Sequence, residues 1–404
     1  MAAFKSGHFQ TCDDELVEWE EAISVSFIII GEAGKMKSSK YVHRQAIRNS
    51  YKILLFELAR RSHKFMELVP PCPIRAVVKV TQNCNSRCIT CCSWKEDSQD
   101  ELTTSELCDT LCQIRAYGIS DLCLFGGEPL LRDDLSSVVR KANELKFDRI
   151  NMITNGLLLT RERSIELIDS GITSIYISLN GTENVHDKTR GIKGAYARTM
   201  EAIQSLVELR DTRFPHLEIT VIAIVMGITV DSILEVADMC RRWSIGFSLA
   251  PLDTSPPWQG VVPIDLMTIN QRQLNTVIDE MHRMKRMASS LIHDSHASLE
   301  YVRNCFITRK RTDIPCYLGY LLVFVGAHGE VYPGCWVLSP VGDLRQSSLK
   351  QIIGSEKYIK RVQDMFLKKC PGCVCDYIVN LYAHVPAVIE EVQWRLKLQS
   401  TTRK

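Results

Sequence analysis

The chain has 404 residues, 45% of them apolar and 24% charged, with 49 basic against 47 acidic residues and a net charge of +2. That is apolar material for buried cores in about two to three domains, and it excludes wholesale disorder and a global field that would favour nucleic acid. No stretch approaches the roughly 18 consecutive apolar residues that cross a bilayer. The acidic start around Asp13, Asp14 and Glu15 is unlike a signal peptide, so a cytoplasmic protein is expected.

Residues 1–73 read as an N-terminal helical extension. A short apolar run, Ile23 to Ile30, precedes a helix from about Tyr41 to Leu68, with Val42, Ile47, Leu54 and Leu58 on its apolar side. Its other side is basic, which suits a membrane surface, but docking on the following domain is the expected use. Pro70-Pro71-Cys72-Pro73 breaks this helix. From Ile74, strand-like runs alternate with helices: Arg75 to Thr81, Asp121 to Phe125, Ile150 to Thr154, Ser174 to Leu179, Leu217 to Val225 and Gly246 to Ala250. Thr103 to Glu106 offers a helix cap, and Gly118 and Gly171 mark helix ends. Six βα units predict an α/β fold, a partial (β/α)6 TIM-like barrel over residues 74–265, with chemistry at the carboxyl ends of the strands. Connecting helices follow at 266–303, including one from Thr268 to about Ile292. Residues 304–380 hold a hairpin, Leu321 to Val325 and Val331 to Cys335, then two short helices and a Cys-rich loop. Residues 381–404 close with a helix marked by Val385, Val388, Ile389, Val392 and Leu396.

Sixteen cysteines are the anomaly. In a reducing compartment these are free thiols, serving as apolar fillers or as soft-metal ligands. Cys12, Cys72, Cys108, Cys112, Cys123 and Cys240 stand alone or in apolar segments and read as core or incidental. The run Cys84-Asn85-Ser86-Arg87-Cys88-Ile89-Thr90-Cys91 follows the first strand directly. Its three thiolates suit three irons of a [4Fe–4S] cube and leave the fourth iron open. Structural zinc is the alternative, although its knuckles usually come in pairs with a fourth ligand close in sequence. Cys92 reads as a bystander.

This spacing, placed after the first strand of a βα barrel, resembles the radical S-adenosylmethionine (radical SAM) superfamily. Gly126-Gly127-Glu128-Pro129 at the end of the second strand matches that family's Gly-Gly-Glu-Pro motif. The resemblance implies that Cys84, Cys88 and Cys91 hold the cluster, and that Gly126, Gly127 and Glu128 hold the methionine amino group of S-adenosylmethionine. Thr154-Asn155-Gly156 and Ser178-Leu179-Asn180-Gly181 end the next two strands, and His186 to Gly191 looks like the family's His-Asp-x-x-Arg-Gly stretch. By analogy Ser178 and Asn180 are candidates for the ribose hydroxyls, Arg190 for the cofactor carboxylate, and Asn155 for a further cofactor contact. Turn chemistry at strand ends is the plain alternative for Asn155, Ser178 and Asn180. Trp94 matches a subgroup pattern. Thr90 stands where many relatives carry an aromatic residue that touches adenine.

Cys316, Cys335, Cys370, Cys373 and Cys375 form a second group, with Cys305 upstream. This group resembles the C-terminal auxiliary-cluster extension of such enzymes, in its short (twitch) or longer (SPASM) form, and Val341 to Leu344 looks like its linker. One auxiliary [4Fe–4S] cluster is implied, held by Cys316, Cys335, Cys370 and Cys373 with Cys375 as the alternate. Zinc on the same residues is the alternative.

The chemistry implied is reductive cleavage of S-adenosylmethionine to a 5′-deoxyadenosyl radical, hydrogen abstraction from substrate, and passage of the remaining electron to the auxiliary cluster. The net result is an oxidation. Residues 1–70 show no strands for a leader-binding winged helix, so a small polar metabolite such as a sugar or aminocyclitol is the expected substrate. The alternatives are a peptide maturase acting on a ribosomally made precursor and a scaffold without catalysis. A one-electron donor such as flavodoxin or ferredoxin is expected as partner. Asp253 and His328 lie near turns but read as solvated loop residues, and the general base stays open.

Overall fold

The computed structural model describes residues 70–373 apart from 97, 254–263, 289–290 and 309–315. The expected N-terminal helix, the closing helix and Cys375 lie outside the described residues.

The alternation foreseen from Ile74 onward is present: β1 (Arg75–Thr81), α1 (Thr104–Ala116), β2 (Asp121–Gly126), α2 (Leu135–Glu144), β3 (Arg149–Thr154), α3 (Arg161–Ser170), β4 (Ser174–Ser178), α4 (Glu183–Arg190), α5 (Ala195–Thr212), β5 (Glu218–Val225), α6 (Ile233–Arg242) and β6 (Gly246–Pro251). All six strands pair in parallel in chain order. The reason is visible in α1. Thr103 and Glu106 close a capping box at its start, and Leu107, Leu111 and Ile114 recur at helical spacing and are fully buried. Each such side chain contributes about 2 kcal/mol by leaving water. Gly118 and Gly171 take positive φ after their helices and turn the chain back toward the sheet.

The hairpin differs from its expected place. β7 (Leu322–Val325) pairs in parallel with β1, so it is a seventh barrel strand; β8 (Glu330–Tyr332) and β9 (Gly342–Asp343) continue the same nine-stranded sheet. β8 stops at Tyr332 because Pro333 cannot donate to the ladder and Gly334 turns the chain at a φ of 64°. The helix expected from Thr268 is α7 (Gln271–Met287), capped by Asn270. Residues 291–293 leave it to pair with the free edge of β6, through Phe247 N–H to Leu291 O and His293 N–H to Phe247 O. α8 (His296–Thr308) follows, and α9 (Leu349–Ile353) and α10 (Glu356–Phe366) come after the hairpin.

The outer face of the sheet is closed by helices, with Val78, Leu122, Leu124, Met152, Ile177 and Val221 fully buried. The inner face is half-open at Phe125, Ile153, Tyr176, Ser178, Ile222 and Phe324. At its amino end Asp121 accepts from Arg75 and Asn151 and so closes the floor of the barrel. Its carboxyl end remains as the place for a site.

Candidate active site at the carboxyl ends of the strands

The Cys84–Cys91 loop leaves the end of β1, and the ends of two other strands and of one helix hold it. Gly127 N–H donates to Thr81 O (2.8 Å) and Glu128 N–H to Asn83 O (2.7 Å). A Cβ on Gly127 would lie 2.2 Å from Asn83 O, and one on Gly126 2.3 Å from Thr81 O. The close approach that these glycines permit is therefore to the backbone at the root of the cysteine loop. From β3, the Asn155 side-chain amide donates to Asn85 Oδ1 (2.7 Å) and Ser86 Oγ (3.0 Å). From the end of α4, Arg190 O and Thr189 O accept from Arg87 N–H (2.9 Å) and Ile89 N–H (3.1 Å). Gly191, at a φ of 65°, ends α4 so close to the loop that a Cβ would lie 2.2 Å from Arg87 O. Trp94 braces the third cysteine by donating Nε1–H to Cys91 O (3.0 Å), with Arg87 and Lys95 over its ring.

The thiols themselves are set for a soft metal. Ser86 N–H points at Cys84 Sγ and Ser93 N–H at Cys91 Sγ, each at 3.4 Å. Burial pushes the Cys84 thiol up to about 11, with Cys88, Glu128 and Cys91 adding to it against the Ser86 N–H; burial raises Cys91 too. Iron must therefore displace protons to bind. Among the described residues no three His, Cys, Asp or Glu side chains converge on a single-ion site. A cube does not require that, because its thiolates sit on separate irons.

Glu128 is fully buried and joins two strand ends. Its carboxylate accepts from Thr154 Oγ1 (2.7 Å), Asn155 N–H (2.8 Å) and Leu130 N–H (3.1 Å), while burial raises its pKa against those bonds. Arg190 is 9% exposed, with Nη1 3.6 Å from Cys88 Sγ and a buried Nε that has no partner. An unmatched guanidinium nitrogen beside the Cys88 thiol fits the carboxylate of S-adenosylmethionine. Asn180 is bonded to protein groups: Oδ1 accepts from Ile224 N–H (3.1 Å) and Nδ2 reaches Thr189 Oγ1 (3.4 Å). Ser178 stands half-buried on the inner face at the end of β4. His186 is fully buried and neutral, lowered to about 3 first by burial and then by Arg190, with Nδ1 accepting from Asn180 N–H (3.1 Å).

The second group is assembled by the hairpin and α10. Gly334 turns Cys335 back so closely that a Cβ there would lie 2.6 Å from Leu318 O, two residues beyond Cys316. Tyr358 and Phe366 of α10 anchor the same segment, through Tyr358 Oη–H to Gly319 O and Phe366 edge-on to Tyr317, and α10 leads on to Cys370 and Cys373. The four thiols come close enough that Cys335, Cys316 and Cys370 all add to the burial that raises Cys373, as does Asp253. Cys305 is buried in α8. His328 sits in the β7–β8 turn, bonded to Gln99 O (3.0 Å).

Three features escaped the sequence reading. Asn85 and Ser86 looked like spacers between cysteines. Gly191 looked like part of a motif rather than a contact. Lys79, a lone charge in an apolar strand, was a signal passed over: it is buried on the inner face with Nζ 3.4 Å from Glu96, its pKa lowered by burial against that carboxylate.

The radical SAM superfamily profile matches residues 78–240. The sporulation killing factor maturation protein SkfB of Bacillus subtilis is 29% identical over 304 residues, covering 74% of this chain and 69% of that protein. The AdoMet-dependent heme synthase of Methanosarcina barkeri is 24% identical over 311 residues, 74% of this chain and 87% of the relative. Among solved structures, Streptococcus suis SuiB bound to its precursor peptide SuiA shares the fold, with a TM-score of 0.59 at 13% identity over 81% of this chain and 73% of SuiB. With its cysteine loop and strand-end motifs, the chain carries a radical SAM domain over residues 78–240, and its Cys-rich C-terminal segment fits an auxiliary-cluster domain.

Proposed function

We propose that this radical SAM enzyme modifies a ribosomally made peptide by a net oxidation. The observation that carries the reading is the similarity to SkfB, a maturation protein by its name, over 74% of this chain. It favours the peptide alternative over the sugar or aminocyclitol substrate expected from the sequence. A second reading, a tetrapyrrole substrate, rests on the match that spans 87% of the heme synthase.

When bound, the cluster and S-adenosylmethionine supply one-electron cleavage of a sulfonium and hydrogen abstraction from an unactivated carbon. The chain supplies the rest. Cys84, Cys88 and Cys91 hold the cube. The unpaired Arg190 Nε edge takes the cofactor carboxylate, and Glu128 keeps lone-pair capacity on Oε2 for its ammonium. Ser178 offers a hydroxyl to the ribose from the inner face. Trp336 packs at a tilt against Phe125 (5.5 Å) and Phe324 (4.8 Å), and this apolar ring cluster on the inner face would help to exclude water. Cys316, Cys335, Cys370 and Cys373 would hold the auxiliary cube, which would supply the acceptor for the second electron of a net oxidation. A flavodoxin or ferredoxin supplies the first electron.

The test is anaerobic. The reconstituted chain, S-adenosylmethionine and dithionite are incubated in turn with each short peptide encoded beside the gene and with coproporphyrin, and products are read by mass spectrometry. Loss of two hydrogens from one peptide supports the proposal. Cofactor cleavage with every peptide unchanged and the porphyrin altered transfers the assignment to the second reading.

A further inference from the structure

Asn155 is buried at the end of β3, and its hydrogen-bonding capacity is spent inside the protein. Its backbone N–H goes to Glu128 Oε2 (2.8 Å), its amide oxygen takes Leu157 N–H (2.9 Å), and its carbonyl takes the Thr199 hydroxyl (3.0 Å). Both hydrogens of its amide nitrogen are engaged, one toward Asn85 Oδ1 and one toward Ser86 Oγ. No N–H is left over to reach a cofactor. Ser86 is itself 1% exposed and sends its backbone N–H to Cys84 Sγ. A continuous path therefore runs from Glu128 through Asn155 and Ser86 to the first thiol.

We infer that Asn155 is a positioning residue for the iron–sulfur loop: its amide holds Asn85 and Ser86 so that the Ser86 N–H stays aimed at Cys84 Sγ. This rests on Cys84, Cys88 and Cys91 being the cluster ligands. Hydrogen bonds to cluster sulfurs and solvent exposure are the levers a protein has on cluster potential and lability, and Asn155 works on both without touching iron. Removing its amide takes the donor from half-buried Asn85 Oδ1 and from buried Ser86 Oγ, so the loop loosens where water can enter. Glu128 belongs to the same device, because its carboxylate fixes the Asn155 backbone.

The experiment uses the full reconstituted chain without substrate and compares wild type with N155A, S86A and the double variant. Iron loss to a ferrous chelator is followed in the absence of S-adenosylmethionine, on the electron paramagnetic resonance signal that shifts when the cofactor is added to a parallel sample. That shift singles out the cluster with an open iron. N155A is expected to lose this cluster about tenfold faster than wild type, the upper range for one net hydrogen bond. The cofactor-free signal should also change shape. S86A should move the same way, and the double variant should be no worse than N155A. A wild-type rate and signal in N155A, together with weakened cofactor binding, would show direct contact and overturn the inference while leaving the cluster reading intact. Should N155A fail to fold, S86A decides, and wild-type lability there overturns the inference. A wild-type chain that takes up no iron overturns both.

Discussion

The two cysteine groups solve one problem in different ways. Cys84, Cys88 and Cys91 lie within eight residues, and their loop is gripped by the ends of β2 and β3 and by the end of α4 through backbone and side-chain hydrogen bonds. Cys316, Cys335, Cys370 and Cys373 are spread over 58 residues and are gathered by packing: a glycine turn against Leu318, and an α10 whose Tyr358 and Phe366 are buried on the same segment. Short spacing lets a loop be shaped locally, whereas long spacing needs helices and a hairpin to be in place first. Charge follows the same division. The first group leaves Arg190 Nε unmatched beside it, a place for an anion, whereas in the second the Asp253 carboxylate adds to the burial that raises Cys373.

Removing each group in turn is the harshest test of this contrast. The triple change of Cys84, Cys88 and Cys91 to Ala should abolish 5′-deoxyadenosine formation and leave about four irons per chain on the auxiliary ligands. Changing Cys335 and Cys373 to Ala should also leave about four irons, but with cofactor cleavage retained and product formation lost. Iron analysis beside chromatography of 5′-deoxyadenosine separates the two. Cleavage that survives the triple change would reverse the assignment of roles.

A smaller effect sharpens the hydrogen-bonded side of the comparison. Gly191 and Gly194 both hold positive φ, but a Cβ on Gly191 meets Arg87 O at 2.2 Å and one on Gly194 meets nothing within 4 Å. G191A should destabilise by about 3 kcal/mol, combining backbone strain with displacement of the loop, and G194A by about 1 kcal/mol from strain alone. Chemical denaturation of the apo chain measures both. Equal losses would mean that α4 does not press on the cysteine loop.

A further effect of moderate size is in pH. His186 titrates at about 3 in the folded chain and near 6.5 when unfolded, so between those values the unfolded state binds the extra proton. Stability is therefore fully present above about 6.5 and is lost as pH falls toward 3, by about 2 kcal/mol between pH 7 and 5. H186Q should flatten that part of the pH–stability curve relative to wild type. Parallel curves would place His186 in a more solvated setting than its bonds to Asn180 and Thr199 imply.

Much of this was legible in the order of residues. Short apolar runs alternating with capped helices mark the first six strands to within a residue, because strand and helix patterns are local properties of the chain. The cysteine spacing and Gly126 to Pro129 marked the cofactor end, since both depend on chain neighbours. The parallel pairing of β7 with β1 was not legible, because a hairpin pattern does not say which edge it will cover. Nor was the division of labour among Asn155, Asn180 and Arg190. All three are polar residues at the ends of elements, and only the packed structure shows that both amides bond to protein groups while the guanidinium keeps an unmatched Nε. Sequence by itself determined the barrel, the cysteine ligands on offer and the chemistry they suit, through periodicity, spacing and side-chain type. Tertiary structure decided which polar groups remain free for a cofactor, because hydrogen-bond satisfaction is a property of three-dimensional neighbours.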